Sequence, residues 1–241
     1  YYFLKRSQNY QRLFDEETKL MQPKSQFGSF NRTFDPFDTN PETSAFTEAN
    51  AWQYTFFVPH DIPGLVELFG GEKEFEEALD EFFTIEHKDN QTLRDVTGLI
   101  GQYAHGNEPS HHIAYLYNHI GKPEKTQRIV RRILQRFYSH EPAGLIGNDD
   151  CGQMSAWFVM SAMGIYQVAP GKPVYDLTSP LFKEVRIHLE NDKTFIINTN
   201  ATNKDDIYIK AVHLNGNTLK DYKINHKDIL NGGELSFELT H

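Results

Sequence analysis

The sequence predicts a mainly α-helical protein in which a small antiparallel β domain follows the helices. Up to about residue 170, apolar residues recur at spacings of three and four, as at Phe75, Leu79 and Phe82, which is the pattern of one helix face. From residue 174 onward, apolar residues alternate with polar ones, which is typical of strands. We therefore expect a helical domain over residues 1–170 and an antiparallel β domain over 171–241.

The expected helices are separated by turns that contain glycine or proline. Their approximate bounds are 1–20, 48–58, 62–69, 72–84, 111–120, 123–138 and 152–166. The expected strands are "EVRIHLE" (184–190), "TFIINT" (194–199), "IYIKAVHLNG" (207–216) and "ELSFEL" (234–239). Paired helices with polar, glycine-containing loops fit half of a helical toroid, and a plain helical bundle fits the same pattern.

The net charge of −9 disfavours a nucleic-acid partner, because phosphate binding needs a clustered basic face. The one basic cluster, "RIVRRILQR" (128–136), has helical spacing, and we expect its arginines on a solvated helix face. The single cysteine, Cys151, excludes an internal disulfide, and nothing around it indicates an activated nucleophile. No apolar run reaches the ~20 residues of a membrane span.

Glu48 begins the segment "EANAWQY", which carries Trp52 and Gln53. One interpretation is an acid that complements a helix N-terminus in front of core aromatic residues. The other is a general acid, because aromatic surroundings disfavour the ionised form of a carboxyl group. Trp52 would then stack on a sugar ring or pack in the core.

The turn "GNDDCG" (147–152) places two adjacent carboxylates, Asp149 and Asp150, at the start of a helix. Two adjacent side chains do not point the same way, so we expect different roles for them. One would cap the helix. The other would face a cleft as a base or a metal ligand.

The stretch "HGNEPSHH" (105–112) is polar throughout. Its histidines lack the one-turn spacing of a catalytic zinc site, so zinc is disfavoured. Oxygen ligands such as Asn107 and Glu108 suit a hard cation such as calcium better. Ser110 capping the following helix is the simpler alternative. Acids at several loops of one helical domain also suit glycoside cleavage, which uses two carboxyl groups.

Four long segments resemble glycoside hydrolase family 92, the calcium-dependent exo-acting α-mannosidases: "YFLKRSQNYQRLFD", "TEANAWQYTFFVPHDIPGLVELFGG", "GLIGQYAHGNEPSHHIAYLYNHIGKP" and "GNDDCGQMSAWFVMSAMGIYQVAPG". The resemblance implies the C-terminal portion of such an enzyme, namely the second half of an (α/α)6 catalytic domain and a closing β segment. It also implies hydrolysis of terminal α-linked mannose in glycans with inversion at the anomeric carbon, in a periplasmic, secreted or cell-surface setting.

The same resemblance assigns site residues by motif. The general acid falls on Glu48, and the general base falls in the "GNDD" turn, with Asp150 favoured over Asp149. Calcium falls near Asn107, Glu108 and Gln53. The residues expected to contact the sugar are Trp52, His105, Gly106 and Glu108. Members acting on α-1,2 links carry a glutamate where this chain has Gly106, so the departure puts α-1,2 preference in doubt.

Two further expectations concern activity. A non-catalytic carbohydrate-binding protein on the same scaffold is the alternative function, and the presence of both Glu48 and Asp150 argues against it. The chain begins in the middle of a helical pattern, which we interpret as a piece of a longer polypeptide. We expect it to need the N-terminal portion of the same enzyme as a partner and to be inactive alone.

Overall fold

The computed structural model describes residues 1–31, 33–86, 96–190 and 192–241. Its α-helices are α1 (Tyr2–Arg6), α2 (Ala51–Phe56), α3 (Ile62–Phe69), α4 (Glu72–Phe82), α5 (Pro123–Phe137), α6 (Gln153–Met163) and α7 (His226–Leu230). Short 3-10 helices span Asn9–Leu13, Glu108–Ser110 and Ile113–Ile120. The strands are β1 (Phe14–Asp15), β2 (Leu20–Met21), β3 (Leu99–Ile100), β4 (Tyr103–Ala104), β5 (Ile165–Tyr166), β6 (Val174–Leu177), β7 (Glu184–His188), β8 (Thr194–Thr199), β9 (Tyr208–Leu214), β10 (Asn217–Thr218), β11 (Lys223–Asn225) and β12 (Gly233–Thr240).

The chain divides into two compact units. The first unit comprises residues 1–113 and 146–148, and the second comprises 114–145 and 149–241. The domain boundary expected at residue 170 and the (α/α)6 arrangement both stay predictions. None of the helices in the described ranges is long and apolar enough to cross a bilayer.

The first unit is held together by phenylalanine rings from α2, α3 and α4. Phe56 stacks on Phe69 at 5.7 Å between ring centroids and contacts Phe82 at 5.0 Å, while Phe75 lies 5.2 Å from Phe69. All four rings are buried, and aromatic pairs at such distances stabilise a core beyond the area they bury. This packing fixes α2, the helix that follows Glu48.

The second unit carries a five-stranded sheet in the order β10-β9-β12-β8-β7 and a three-stranded sheet in the order β11-β6-β5. Phe195 and Ile197 of β8 and Leu235 and Phe237 of β12 are buried at alternate positions, as the alternating pattern predicts. The expectation of a purely antiparallel domain is wrong at one pairing. Strand β12 runs antiparallel to β9 but parallel to β8.

Some expected helices are shorter or tighter in the structure. The expected helix 1–20 is reduced to α1 and the turn Asn9–Leu13, after which the backbone becomes extended at Phe14 (φ −75°, ψ 125°). The expected helix at 111–120 is the 3-10 helix Ile113–Ile120. The start of α2 moves to Ala51, because Asn50 caps that helix.

Candidate active site

Glu48 lies just before α2 on an exposed stretch of backbone. Its φ of 55° is in the left-handed region, which a side chain other than glycine adopts at a cost of about 1–2 kcal/mol. Its carbonyl accepts a 2.8 Å hydrogen bond from Asn107 Nδ2. Within the described ranges, no hydrogen bond or ion pair engages the Glu48 carboxylate, so it is free to meet a ligand or solvent.

The start of α2 is fixed by a buried amide network. The Asn50 side chain accepts from Trp52 N at 3.0 Å, and Gln53 Oε1 accepts from Asn50 N at 2.7 Å. Asn50 Nδ2 donates to Gln102 Oε1 at 3.0 Å, and Gln53 Nε2 donates to the Gln102 carbonyl. Gln53 is thus 1% exposed with its side-chain oxygen and nitrogen both engaged, which weighs against its expected role as a metal ligand.

Trp52 packs in the first unit. It is 8% exposed, and its ring lies 5.9 Å from that of Phe37. Its Nε1 is buried and has no hydrogen-bond partner within the described ranges. A buried indole N–H normally has a hydrogen-bond acceptor, and none is present for this one among the described residues. The expected stacking of Trp52 on a sugar ring stays a prediction.

The three histidines of "HGNEPSHH" hold loops together. His111 Nε2 donates to the His105 carbonyl at 2.9 Å, and His112 Nε2 donates to the Phe56 carbonyl at 2.8 Å. His105 Nδ1 lies 2.8 Å from the Tyr103 hydroxyl, with the two rings stacked. Burial, helped by His111, holds the pKa of His105 well below its usual value, so this side chain is neutral.

Since His105 is 0% exposed, its burial weighs against the expected sugar contact. The ring nitrogens of the three histidines face different partners. The His112 bond ties the end of this segment to α2, and Asn107 ties it to the Glu48 carbonyl. The stretch is therefore a structural support for the residues around Glu48.

Gly106 is buried and its φ is not in the left-handed region, so its backbone suits any residue. A Cβ atom at this position would nonetheless overlap Thr97 Oγ1 and would lie 3.2 Å from Thr97 Cβ. Thr97 Oγ1 would also lie 3.0 Å from a Cβ at Gly147. Thr97 thus occupies the space that a side chain at position 106 would need. Its own hydroxyl is buried without a partner among the residues with described positions.

In the second unit, Asp150, Cys151 and Gly152 form a left-handed turn, with φ values of 48°, 58° and 95°. Asp149 Oδ1 accepts from Ser155 N at 3.0 Å and from Ser155 Oγ at 2.9 Å, so Asp149 caps the first turn of α6 from outside the helix, whose N-cap residue is Gly152. Asp150 is exposed, and its carboxylate has no partner in the described part of the chain. Asp149 is thus engaged at the start of α6 and the Asp150 carboxylate is not, while the role of either acid as a base stays a prediction.

The described residues do not form a calcium site by themselves. They contain no group of three or more His, Cys, Asp or Glu side chains that could hold a metal ion. Asn107 is 5% exposed, and its Nδ2 donates to the Glu48 carbonyl, so its side-chain oxygen is the atom left to bind a metal ion. With the half-buried Glu108 this makes two oxygen ligands, whereas calcium takes about six to eight.

Sequence reasoning missed two residues near these loops. Thr97 closes the space beside Gly106, and Gln102 links both ends of the cap of α2. Neither residue carries a local signal, because each acts on a segment that is distant in sequence. The exposed Glu48 carboxylate and the buried amides that hold its segment fit proton-transfer chemistry on a polar ligand.

The whole chain, residues 1–241, matches the model of the glycosyl hydrolase family 92 catalytic domain. Among solved structures, it is similar to a family GH92 α-mannosidase from Bacteroides thetaiotaomicron in complex with mannoimidazole, with 37% identity and a TM-score of 0.92 over 99% of this chain and 32% of that one. It is also similar to a family GH92 inverting mannosidase from the same organism, with 35% identity and a TM-score of 0.85 over 99% of this chain and 33% of that one.

An uncharacterized secreted glycosidase from Arthroderma benhamiae is 33% identical over 195 residues, which are 80% of this chain and 23% of the relative. The chain thus spans about a third of the solved relatives and about a quarter of the curated one. The match to the family model covers every motif in which candidate site residues were found. The chain belongs to glycosyl hydrolase family 92.

Proposed function

We propose that this chain is part of an exo-acting α-mannosidase that hydrolyses terminal α-linked mannose with inversion. One observation carries the proposal. The acid and base assigned by motif, Glu48 and Asp150, both have free, exposed carboxylates on left-handed backbone, whereas the neighbouring Asp149 is engaged as a helix cap. Such strain persists where the surrounding structure imposes it, and it clusters at functional sites.

In the proposed reaction, the protonated Glu48 carboxyl group donates its proton to the glycosidic oxygen as the bond from that oxygen to the anomeric carbon breaks. The Asp150 carboxylate accepts a proton from the water molecule that attacks the opposite face of the same carbon. The products are the free leaving-group alcohol and mannose of inverted configuration. Inverting enzymes hold these two carboxyl groups roughly 6.5–9.5 Å apart, which leaves room for the water. The inverting relative in the family supports this outcome.

Asn107 supports the acid through the backbone. Its Nδ2 binds the carbonyl of Glu48, and Asn107 is itself buried, so it holds the left-handed conformation of that residue in place. The carboxylate is left untouched by this bond. Asn107 therefore positions Glu48 without competing for the proton that Glu48 transfers.

Calcium dependence belongs to the proposal through the family resemblance. Asn107 and Glu108 fit as two of its oxygen ligands, and the engaged side chain of Gln53 does not. The bound ion would grip sugar hydroxyl groups and favour a distorted ring. No proton transfer above goes through it.

We propose a linkage other than α-1,2. Members acting on that linkage carry an acid at the position of Gly106, and Thr97 fills the corresponding space in this chain. Linkages α-1,3, α-1,4 and α-1,6 and mannosyl phosphate remain the candidate substrates. The parent enzyme would act outside the cytoplasm, periplasmic or secreted, as the curated secreted relative suggests.

The test uses the full polypeptide that carries this chain. Mannose release from a panel of α-linked mannobioses would be measured with calcium and with EDTA, and the first-formed anomer would be read by proton NMR. We expect calcium-dependent release of β-mannose, a loss of about 10²-fold or more in Glu48→Gln and Asp150→Asn, and a much smaller loss in the control Asp149→Asn. Sugar binding without release from any linkage would favour the carbohydrate-binding alternative.

A further inference from the structure

Two adjoining pockets form a cleft in the first unit, between the β1–β2 hairpin and the segment that leads to Glu48. Their volumes are about 690 and 380 Å³, within the range of about 300–1,000 Å³ that is usual for small-molecule sites. Asn31 and Phe34 line both pockets, so the two form one elongated space. We call this space the 15–46 cleft, after the segment that supplies its lining.

Both walls of the 15–46 cleft are fixed to α2, the helix that follows Glu48. On the hairpin side, Met21 N donates to Thr55 Oγ1 at 2.9 Å. On the other side, Ala51 N donates to the Pro36 carbonyl at 3.3 Å. Because the backbone of each wall is tied to the same helix, the cleft is formed before any ligand binds, as is usual for small-molecule sites.

The second pocket reaches the backbone that carries the candidate acid. Ala45 and Phe46 line this pocket, and they precede Glu48 by three and two residues. The Phe46 ring lies 5.2 Å from the ring of Tyr54 on α2. Burial raises the pKa of Tyr54, and the negative charge of Glu48 adds to the rise, so the Glu48 carboxylate lies near this ring. A general acid protonates the leaving-group oxygen, so a cleft beside it is placed to receive the leaving group.

The two residues shared by the pockets suit a carbohydrate. Phe34 is half-buried, so part of its ring is open to pack against the apolar face of a sugar. Asn31 Oδ1 accepts from Thr33 N at 3.0 Å and from Thr33 Oγ1 at 2.9 Å, which fixes the orientation of the amide. Asn31 Nδ2 has no partner in the described part of the chain and is left to donate to a hydroxyl group. Apolar walls with a few placed polar groups are typical of ligand sites.

The charge of the cleft is negative. Among the described lining residues there are four carboxylates and no basic side chain; the acids are Asp15 and Glu17 in the first pocket and Asp35 and Asp38 in the second. Residues 15–46 as a whole carry six acidic and three basic side chains. Lys24 lies beside the first pocket, with Nζ 4.1 Å from the centre of the Phe30 ring, and does not offset the four acids. This excess repels phosphate and other anionic groups, most strongly at low salt.

We propose that the 15–46 cleft binds the leaving-group part of the substrate as an uncharged oligosaccharide that spans both pockets, with Phe34 against a sugar ring and Asn31 Nδ2 donating to a sugar hydroxyl group. The sugar contacts assigned by motif lie outside this segment, so the cleft adds to them. The proposal rests on the proposed function, and it removes mannosyl phosphate from the candidate substrates.

The first experiment compares two substrates of the full polypeptide that carries this chain. One is α-mannosyl fluoride, whose leaving group is too small to enter the cleft. The other is an α-linked mannotriose, whose leaving group is a disaccharide. Phe34→Ala and Asn31→Asp should each raise KM for mannotriose about tenfold, with kcat for mannotriose and kcat/KM for the fluoride changed less than about twofold.

The controls keep the fold and change one feature at a time. Asn31→Asp keeps the acceptor for Thr33 and loses the Nδ2 donor, and Phe34→Tyr keeps the ring and should behave like the parent. Phe27→Ala removes an 86% exposed ring of the same segment that lies outside both linings, and it should change neither substrate. An equal loss on both substrates in Phe34→Ala, or no loss on either, would overturn the assignment of the cleft.

A phosphate monoester at the reducing end of the mannotriose tests the selection against charge. At low salt, kcat/KM for this substrate should be at least about tenfold below that for neutral mannotriose, and the double variant Glu17→Gln with Asp35→Asn should narrow the gap. Equal values for the two substrates in the parent would overturn the assignment to uncharged glycans.

A binding measurement separates this proposal from the proposed reaction. In the full polypeptide with Glu48→Gln, calorimetric titration with mannotriose should give a Kd about tenfold weaker when Phe34→Ala is added and an unchanged Kd when Phe27→Ala is added. An unchanged Kd with Phe34→Ala would overturn the cleft while leaving the reaction standing. Binding that depends on Phe34, without mannose release from any linkage by the parent, would overturn the reaction alone.

Discussion

Replacing Gly106 by alanine tests whether Thr97 fills the space that a side chain at position 106 would need. The new Cβ would overlap Thr97 Oγ1 and would sit 3.2 Å from Thr97 Cβ, closer than ordinary contact. Overpacking of this kind costs about 1–3 kcal/mol. Alanine in place of glycine recovers about 0.4–1 kcal/mol through the unfolded chain, because the backbone at position 106 is not left-handed. We expect a net loss of about 1.5 kcal/mol in the free energy of unfolding.

The double variant Thr97→Ala with Gly106→Ala should recover most of this loss. Thr97→Ala removes the overlapping oxygen, which has no hydrogen-bond partner in the described ranges, so the single variant should be nearly neutral. The expected coupling between the two positions is therefore about 1–2 kcal/mol.

Urea titration of the 241-residue chain, followed by the fluorescence of Trp52 and Trp157, measures these differences. Gly121→Ala is the control, because a Cβ there meets no atom within 4 Å although φ is 68°. Its expected loss of about 1–2 kcal/mol in the free energy of unfolding would come from the backbone conformation alone. The reasoning is refuted if Gly106→Ala is as stable as the parent. It is also refuted if Thr97→Ala gives no recovery in the double variant.

Three further outcomes follow from the same geometry. Asp150→Gly should raise the free energy of unfolding by about 0.5–1 kcal/mol, because glycine adopts the left-handed backbone without strain. The full enzyme with this substitution should lose turnover. A lower stability of the variant in calorimetry would contradict the expected gain. Asp149→Ala should instead cost about 1 kcal/mol, because it removes the cap on Ser155, and an unchanged Tm would show that the cap is unimportant. Burial lowers the pKa of His105 in the folded protein, so below pH ~6.5 only the unfolded chain takes up this proton and the free energy of unfolding falls as pH falls. In urea titrations, His105→Gln should reduce the loss between pH 6.5 and 5 by about 2 kcal/mol. Parallel pH profiles of the variant and the parent would exclude this histidine as the cause.

Local signals made several helices predictable. Asp61 caps α3, Gly70 ends it in a left-handed conformation, and Pro123 begins α5, so the observed bounds fall within a residue or so of the expected ones. The parallel pairing of β12 with β8 was not predictable in this way. It depends on where a strand inserts among partners that are distant in sequence, and alternation of apolar residues carries no information on that order.

In the candidate site, too, some features could be predicted from local sequence and others depend on contacts between distant residues. The motifs indicate Glu48 and the "GNDD" turn as candidates, and the rule that adjacent carboxylates diverge leads us to expect different surroundings for Asp149 and Asp150. Which acid caps α6 depends on its contact with Ser155, and the space at Gly106 depends on Thr97. Arg131 is 7% exposed, so the expectation of a solvated face is wrong for this arginine. Helical spacing could have distinguished Arg131 from the other arginines, because Arg128, Arg132 and Arg136 are exposed at intervals of four and Arg131 lies off that row.

The position of β12 has a consequence for biosynthesis. In the order of the five-stranded sheet it lies between β9 and β8, although it is made after both. While the ribosome has yet to deliver residues 233–240, β8 and β9 each present a row of unpaired backbone groups, the kind of strand edge that recruits other chains into aggregates. Premature termination before Gly233 should therefore yield insoluble protein rather than a shortened but folded sheet.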